Sequence, residues 1–213
     1  MKLHIFSASP NCRKVMALIN YLDMNVEINE LDLTKGEHKA PDILALNPNG
    51  SVPVLEDGDI SVWESNAILQ YLADSHAAKH GDNEIYPADI KKRASISKWL
   101  YWQTAHFGSA ISTIAWENFA KPIFGLGDPN PELVKDGLER FHKYALLLEE
   151  QLQNNDYVVG PNLTIADFAM ANTAIVNGPG KVPVGDYPAI VAWYDRLDQI
   201  KAWRDAAAPL PGV

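Results

Sequence analysis

The sequence predicts an α/β plus all-α fold. A small mixed sheet with helices on its faces spans residues 1–76, a linker spans 77–87, and an all-helical unit spans 88–213. Three observations predict it. In the first third, apolar spacing switches between period two and period 3.6, in the order βαβ, short helix, ββα. Residues 77–87 lack any period and close on Pro87. Beyond them every apolar pattern is helical.

Leu3 and Ile5 alternate with His4 and Phe6, which reads as a first strand. Ser9 at a cap position and Pro10 at the first helical position open a helix with Val15, Leu18, Ile19 and Leu22 on one face. Val26 to Leu31 reads as a second strand, and a helical crossover between strands implies parallel pairing. Thr34 to Ala45 reads as a polar loop and short helix. Asn47-Pro48-Asn49-Gly50 is turn chemistry, since proline presets φ and glycine accepts positive φ. Val54-Leu55 and Ile60-Ser61-Val62 flank Glu56-Asp57-Gly58-Asp59, an antiparallel hairpin with an Asp-Gly turn. Glu64-Ser65 then opens a helix carrying Ala67, Ile68, Tyr71 and Leu72.

In the second unit, Asp89 to Ala120 reads as one long aromatic-rich helix stopped by Pro122. Pro131 to Gln153 follows, with Leu138, Phe141, Ala145, Leu148 and Leu152 as its buried stripe. Thr164 and Asp167 have capping-box spacing and open an apolar helix from Phe168 to Val176, which should be buried. Pro188 to Ile200 and a segment around Trp203 complete the pattern.

The 213 residues are 47% hydrophobic, enough for a core in each unit. A formal charge of −9 with no basic stripe disfavours nucleic acid as a partner. One cysteine, Cys12, rules out an intrachain disulfide framework, and six scattered histidines give no zinc spacing, so no metal is expected. The apolar run at the N-terminus is strand-like and too short for a signal peptide or a membrane span, so no membrane association and a cytoplasmic location are expected.

Residues 36–67 read as a ligand cradle. The Asn-Pro-Asn-Gly turn delivers Ser51, Val52 and Pro53 in an extended direction, making Val52-Pro53 an exposed strand end. Ser65 and the free N–H groups of its helix suit a carboxylate or phosphate, while the plainer reading makes Ser65 a simple cap. At the first turn, the Ser9 hydroxyl and the helix dipole favour a negative charge such as a ligand thiolate. A plain N-cap is again the alternative. Ser9-Pro-Asn-Cys12 looks like a thioredoxin-type dithiol motif whose first cysteine is serine, which leaves Cys12 either reactive or packed inside. Trp102, His106, Phe107 and Ala110 lie roughly on one helical face, as either core or an apolar recess.

Together these segments resemble the cytosolic glutathione S-transferase family over essentially the full chain. The resemblance rests on Ser9-Pro-Asn, Gly36-Glu-His-Lys-Ala-Pro, Asn47-Pro-Asn-Gly-Ser-Val-Pro, Glu56-Asp-Gly-Asp and Glu64-Ser in order. Lys121-Pro-Ile-Phe-Gly-Leu, Leu163-Thr-Ile-Ala-Asp-Phe and Tyr187-Pro-Ala-Ile-Val-Ala-Trp follow. It implies a thioredoxin-like N-terminal domain, an all-helical C-terminal bundle and a homodimer, with glutathione as co-substrate and a small hydrophobic electrophile as the second substrate. Carried across, Ser9 activates the glutathione sulfur with Asn11 as a second polar contact. His38 and Lys39 hold the glycyl carboxylate, Val52 pairs its backbone with the cysteinyl part, and Pro53 resembles the family's cis-proline. Glu64 and Ser65 form the γ-glutamyl clamp. Trp102, His106, Phe107 and Ala110 would line the electrophile pocket. Ser51 departs from the Gln that many Ser-type members carry. Besides phi- and theta-like members, Ser-Pro-Asn resembles a bacterial, Nu-like branch that favours glutathione-dependent disulfide reduction. That reaction and a non-catalytic glutathione-binding role therefore stand beside conjugation.

Overall fold

A computed structural model describes residues 1–210. Four short strands, β1 (Lys2–Ile5), β2 (Glu27–Glu30), β3 (Val54–Asp57) and β4 (Ile60–Trp63), form one sheet in the order β2-β1-β3-β4. The crossover helix α1 (Pro10–Tyr21) makes β1 and β2 parallel, with Leu3 opposite Ile28. The Asp-Gly hairpin makes β3 and β4 antiparallel, with Leu55 opposite Val62, and β3 also runs antiparallel to β1. Between β2 and β3 the chain makes two 3-10 turns, Leu33–Lys35 and Glu37–Lys39, and then the helix α2 (Pro41–Leu46).

Helix α3 (Ser65–His80) runs four residues into the segment read as linker; Gly81, at φ +91, ends it. The predicted long aromatic helix exists but is not regular. It consists of α4 (Ile90–Trp102), α5 (Gly108–Ala115) and α6 (Lys121–Ile123), joined by π-helical turns at Gln103–Phe107 and Trp116–Ala120. It ends at Ile123, one residue past Pro122, close to the expected stop. Helix α7 (Pro131–Gln153) has the predicted bounds, capped by Asn130 accepting from Glu132 N. The predicted apolar helix is broken into α8 (Ile165–Met170) and α9 (Ala174–Asn177) by a turn at Ala171–Thr173. Helices α10 (Pro188–Asp198) and α11 (Lys201–Asp205) follow.

Helix α1 lies at the centre. Its Cys12, Val15 and Leu18 are fully buried, and one apolar cluster runs from the sheet through α1 into the helical unit. Each such side chain contributes roughly 1.5–3 kcal/mol. Arg13 is also buried, its guanidinium 3.9 Å from the centroid of the Trp203 ring. Two buried carboxylates organise the helical unit. Asp167 accepts from Thr164 N, Val158 N and Trp193 Nε1, and Glu149 of α7 accepts from the N–H groups of Ala189 and Ile190, capping α10. Burial nevertheless pushes the Asp167 carboxyl up to about 6.

Candidate active site

The turn at Asn47–Gly50 is held by its own first residue. Asn47 Oδ1 accepts from Asn49 N at 3.1 Å, and Asn47 Nδ2 donates to Ser51 O at 2.8 Å. Gly50 has φ +57, and a Cβ there would sit 2.7 Å from Lys39 Nζ. The positive φ is what calls for glycine here, while the Lys39 side chain packed over it could shift to admit a Cβ. The chain then passes through a cis Val52-Pro53 bond into β3. Across from it Glu64 holds φ 70, an unusual conformation for a non-glycine residue, and Ser65 begins α3 with little exposure.

These segments enclose a polar cavity of about 240 Å³, lined by Asn11, Asn47, Asn49, Ser51, Val52, Pro53, Glu64 and Ser65. Five residues singled out from sequence, Asn11, Val52, Pro53, Glu64 and Ser65, thus meet in one place. His38 and Lys39 do not line it. Lys39 Nζ donates to Gly50 O at 3.2 Å, on the outer side of the turn, and His38 Nδ1 is buried with no hydrogen-bond partner among the described residues.

Ser9 stands at the N-cap of α1 with extended backbone, followed by Pro10 at N1, and its side chain makes no capping bond among the described residues. Its hydroxyl is not spent on closing the helix. Ser9 and Pro10 instead border a second, apolar cavity of about 260 Å³. Phe6, Ala8 and Leu33 line it from one side, and Ser112, Ala115, Trp116, Phe119, Ile123, Phe124 and Val176 from the other. Consecutive residues of one turn therefore face two cavities of opposite character.

That cavity is not built from Trp102, His106, Phe107 and Ala110, none of which lines it. Trp102 stacks on Phe107 at 5.8 Å between centroids and meets Tyr144 of α7 edge-on, while Phe107 and Ala110 are fully buried and His106 is exposed. The regular spacing assumed for that helix fails at the π turn Gln103–Phe107, because each inserted residue rotates the following face by about 100°. The wall beside Ser9 comes further along, at Ser112–Phe124.

Cys12 is fully buried, and its thiol is pushed up to about 11 by burial, against opposing hydrogen bonds from the Phe6 backbone and the Ser9 side chain. This selects the packed reading over the reactive one. Lys14 is also buried, with burial pulling its ammonium down to about 7 and Glu64 acting in the opposite direction. Asn47 and Asn49 are legible in the sequence only as turn residues and not as cavity lining, and Asn66, Gln103 and Asn172 are not singled out by it. The one available signal was Asn172, a carboxamide within an apolar run.

Two family models match this chain, the glutathione S-transferase N-terminal domain over residues 1–74 and the C-terminal domain over residues 107–200. The chain belongs to the glutathione S-transferase family. It is 32% identical over 199 residues to a probable glutathione S-transferase of Oryza sativa subsp. japonica, covering 92% of this chain and 91% of that one. It is 32% identical over 217 residues to glutathione S-transferase 3 of Zea mays, covering 99% and 95%. Among solved structures, glutathione S-transferase I bound with lactoylglutathione superposes with a TM-score of 0.83 at 25% identity, covering 97% of each chain. In this glutathione S-transferase the polar cradle and the Ser9 turn belong to the N-terminal domain. The far wall of the apolar cavity belongs to the C-terminal one. No helix among the described residues is long and apolar enough to cross a membrane.

Proposed function

We propose that this protein binds glutathione in the polar cradle as the thiolate, with its sulfur beside Ser9 and Asn11, and transfers it to a small hydrophobic electrophile held in the apolar cavity. One observation carries the reading: the first turn of α1 is a wall of both cavities, Ser9 and Pro10 of the apolar one and Asn11 of the polar one. In the cradle, Ser65 with its N–H receives the γ-glutamyl carboxylate, Glu64 faces the amino group, and the Val52 backbone pairs with the cysteinyl part. His38 and Lys39 lie one shell out, and Lys39 reaches the glycyl carboxylate only by leaving the carbonyls of its turn.

Free thiols titrate near 8.5, so lowering that by one or two units takes about 1.4–2.7 kcal/mol of selective thiolate stabilisation. A charge-assisted hydrogen bond from Ser9 together with the α1 N-terminus is of that size. The sulfur then attacks an electrophilic carbon. A C–S bond forms, the leaving group departs with its electron pair, and the thiol proton has already gone to solvent. Positioning between two adjoining cavities supplies the remainder of the rate. A homodimer in the cytoplasm fits the family. The exposure of Trp63 and Ile60 on edge strand β4, and of Tyr101 on α4, supports an association surface.

Ultraviolet titration of the bound glutathione thiolate tests the mechanism, with wild type beside Ser9→Ala. A thiolate band near neutral pH that Ser9→Ala abolishes supports it, and a band indifferent to Ser9 sinks it. Turnover of electrophilic carbon substrates against small disulfides then separates conjugation from disulfide reduction, the second reading that Asn11 beside the thiol site favours.

A further inference from the structure

Lys14, one turn into α1, is 1% exposed, and its Nζ donates to Asn66 Oδ1 at 2.6 Å. From this amine a row of carboxamides crosses between the two domains. Asn66 Nδ2 donates to Leu100 O at 2.9 Å, Thr104 Oγ1 at 3.1 Å and Gln103 Oε1 at 3.4 Å. Gln103 Nε2 donates to Asn172 Oδ1 at 3.2 Å, and Asn172 Nδ2 donates to Asn11 Oδ1 at 2.9 Å.

A primary amide has one accepting end and one donating end, and Lys14 Nζ takes the donating role toward Asn66 Oδ1. Asn66 must therefore turn its oxygen to Lys14 and its NH2 onward, and the same choice passes to Gln103, Asn172 and Asn11. The last member is left with its oxygen occupied and its NH2 uncommitted among the described residues, on the wall of the polar cavity. The fold makes room for the row at a second point. Gln103 begins the π turn, and a Cβ on Gly108 would come within 2.3 Å of Gln103 Nε2. Leaving a buried lysine and two buried amides in a domain interface without partners is costly, and each of the three has a partner within the row.

We propose that Lys14, Asn66, Gln103 and Asn172 are positioning residues that hold the Asn11 carboxamide with its Nδ2 toward the glutathione sulfur, making Asn11 a second donor to the thiolate beside Ser9. This rests on the glutathione reading above. Aligned amide dipoles also leave the positive end of the row at Asn11, where an anion gains most.

Asn172→Asp keeps the shape and removes the donor. Asn11 then turns its NH2 toward the new carboxylate and presents oxygen to the sulfur. Lys14→Met removes the head of the row at similar volume and without a buried charge. The readouts are the pH midpoint of the thiolate band of enzyme-bound glutathione and, separately, the affinity for S-methylglutathione, which has no thiol to ionise. Both variants should raise the midpoint by about one pH unit, a tenfold lower thiolate fraction at a given pH below the midpoint, and change S-methylglutathione affinity by less than about twofold. In the wild type, the Asn11 side-chain NH2 resonances should shift more with glutathione than with S-methylglutathione, a test that needs no folded variant. A wild-type band whose midpoint stays put in folded variants overturns the relay alone, as does an Asn11 NH2 blind to the thiol. A raised midpoint accompanied by a comparable loss of S-methylglutathione affinity shows a merely structural role and also overturns it. A wild type with no thiolate band overturns the glutathione-activation reading as well.

Discussion

The two cavities that meet at the start of α1 are assembled in opposite ways. Apart from Asn11, the polar cradle comes from residues 47–65, a contiguous stretch whose turn, cis bond and helix start lie within one supersecondary unit. The apolar cavity draws on segments from Phe6 to Leu210, and its far wall depends on a helix with two π turns. Under the proposed function, glutathione, whose structure is fixed, meets local, backbone-rich chemistry, whereas the variable partner meets side chains gathered from afar. Such a wall can be altered without touching the cradle.

Substitutions should separate the two cavities. Ser9→Ala, at their junction, should lower kcat/KM by about 10–100-fold, the kinetic equivalent of 1.4–2.7 kcal/mol. The loss should appear with every electrophile while glutathione affinity stays within about twofold, and a substrate-dependent loss would place Ser9 in the apolar wall instead. Ser65→Ala should act on the cradle alone, raising KM for glutathione by about tenfold, as expected for one hydrogen bond to a charged group. Electrophile KM should not move. Trp116→Ala should do the converse, raising KM for a hydrophobic electrophile by roughly fivefold through lost apolar contact, with glutathione unaffected. Trp102→Ala should leave both KM values within about twofold and instead lower Tm, since it removes a partly buried aromatic from a stacked cluster. A selective electrophile defect there would restore the site that the sequence alone suggested. Cys12, with its thiol raised to about 11, should stay unalkylated by iodoacetamide in the native protein and react once unfolded, read by intact mass.

Much of this was legible because it is local. Asn47, Gly50, Ser65 and Ser9 declare turns and helix starts through backbone preference, and those preferences survive into the fold. The capping pair Thr164 and Asp167 was legible for the same reason. The aromatic helix misled because π turns leave no periodic signature, so Trp102 and Phe107 fall on the α7 side and the wall of the apolar cavity lies further along. The roles of His38 and Lys39 rest on resemblance; neither lines the polar cavity, and Lys39 is bonded to the Gly50 carbonyl of the turn. The break between α8 and α9 was illegible too, since what holds Asn172 there is Asn11, more than 150 residues earlier.

The packing of Arg13 beneath Trp203 has a consequence for biosynthesis. Ribosomal synthesis is vectorial, so the helix bearing Ser9 is made long before Trp203, and its outer face stays uncovered until that residue emerges. Until then the helix carries an unshielded guanidinium next to an apolar seam. Nascent chains halted before residue 203 should be held by chaperones or cleaved by proteases at this seam, and the completed chain should resist both.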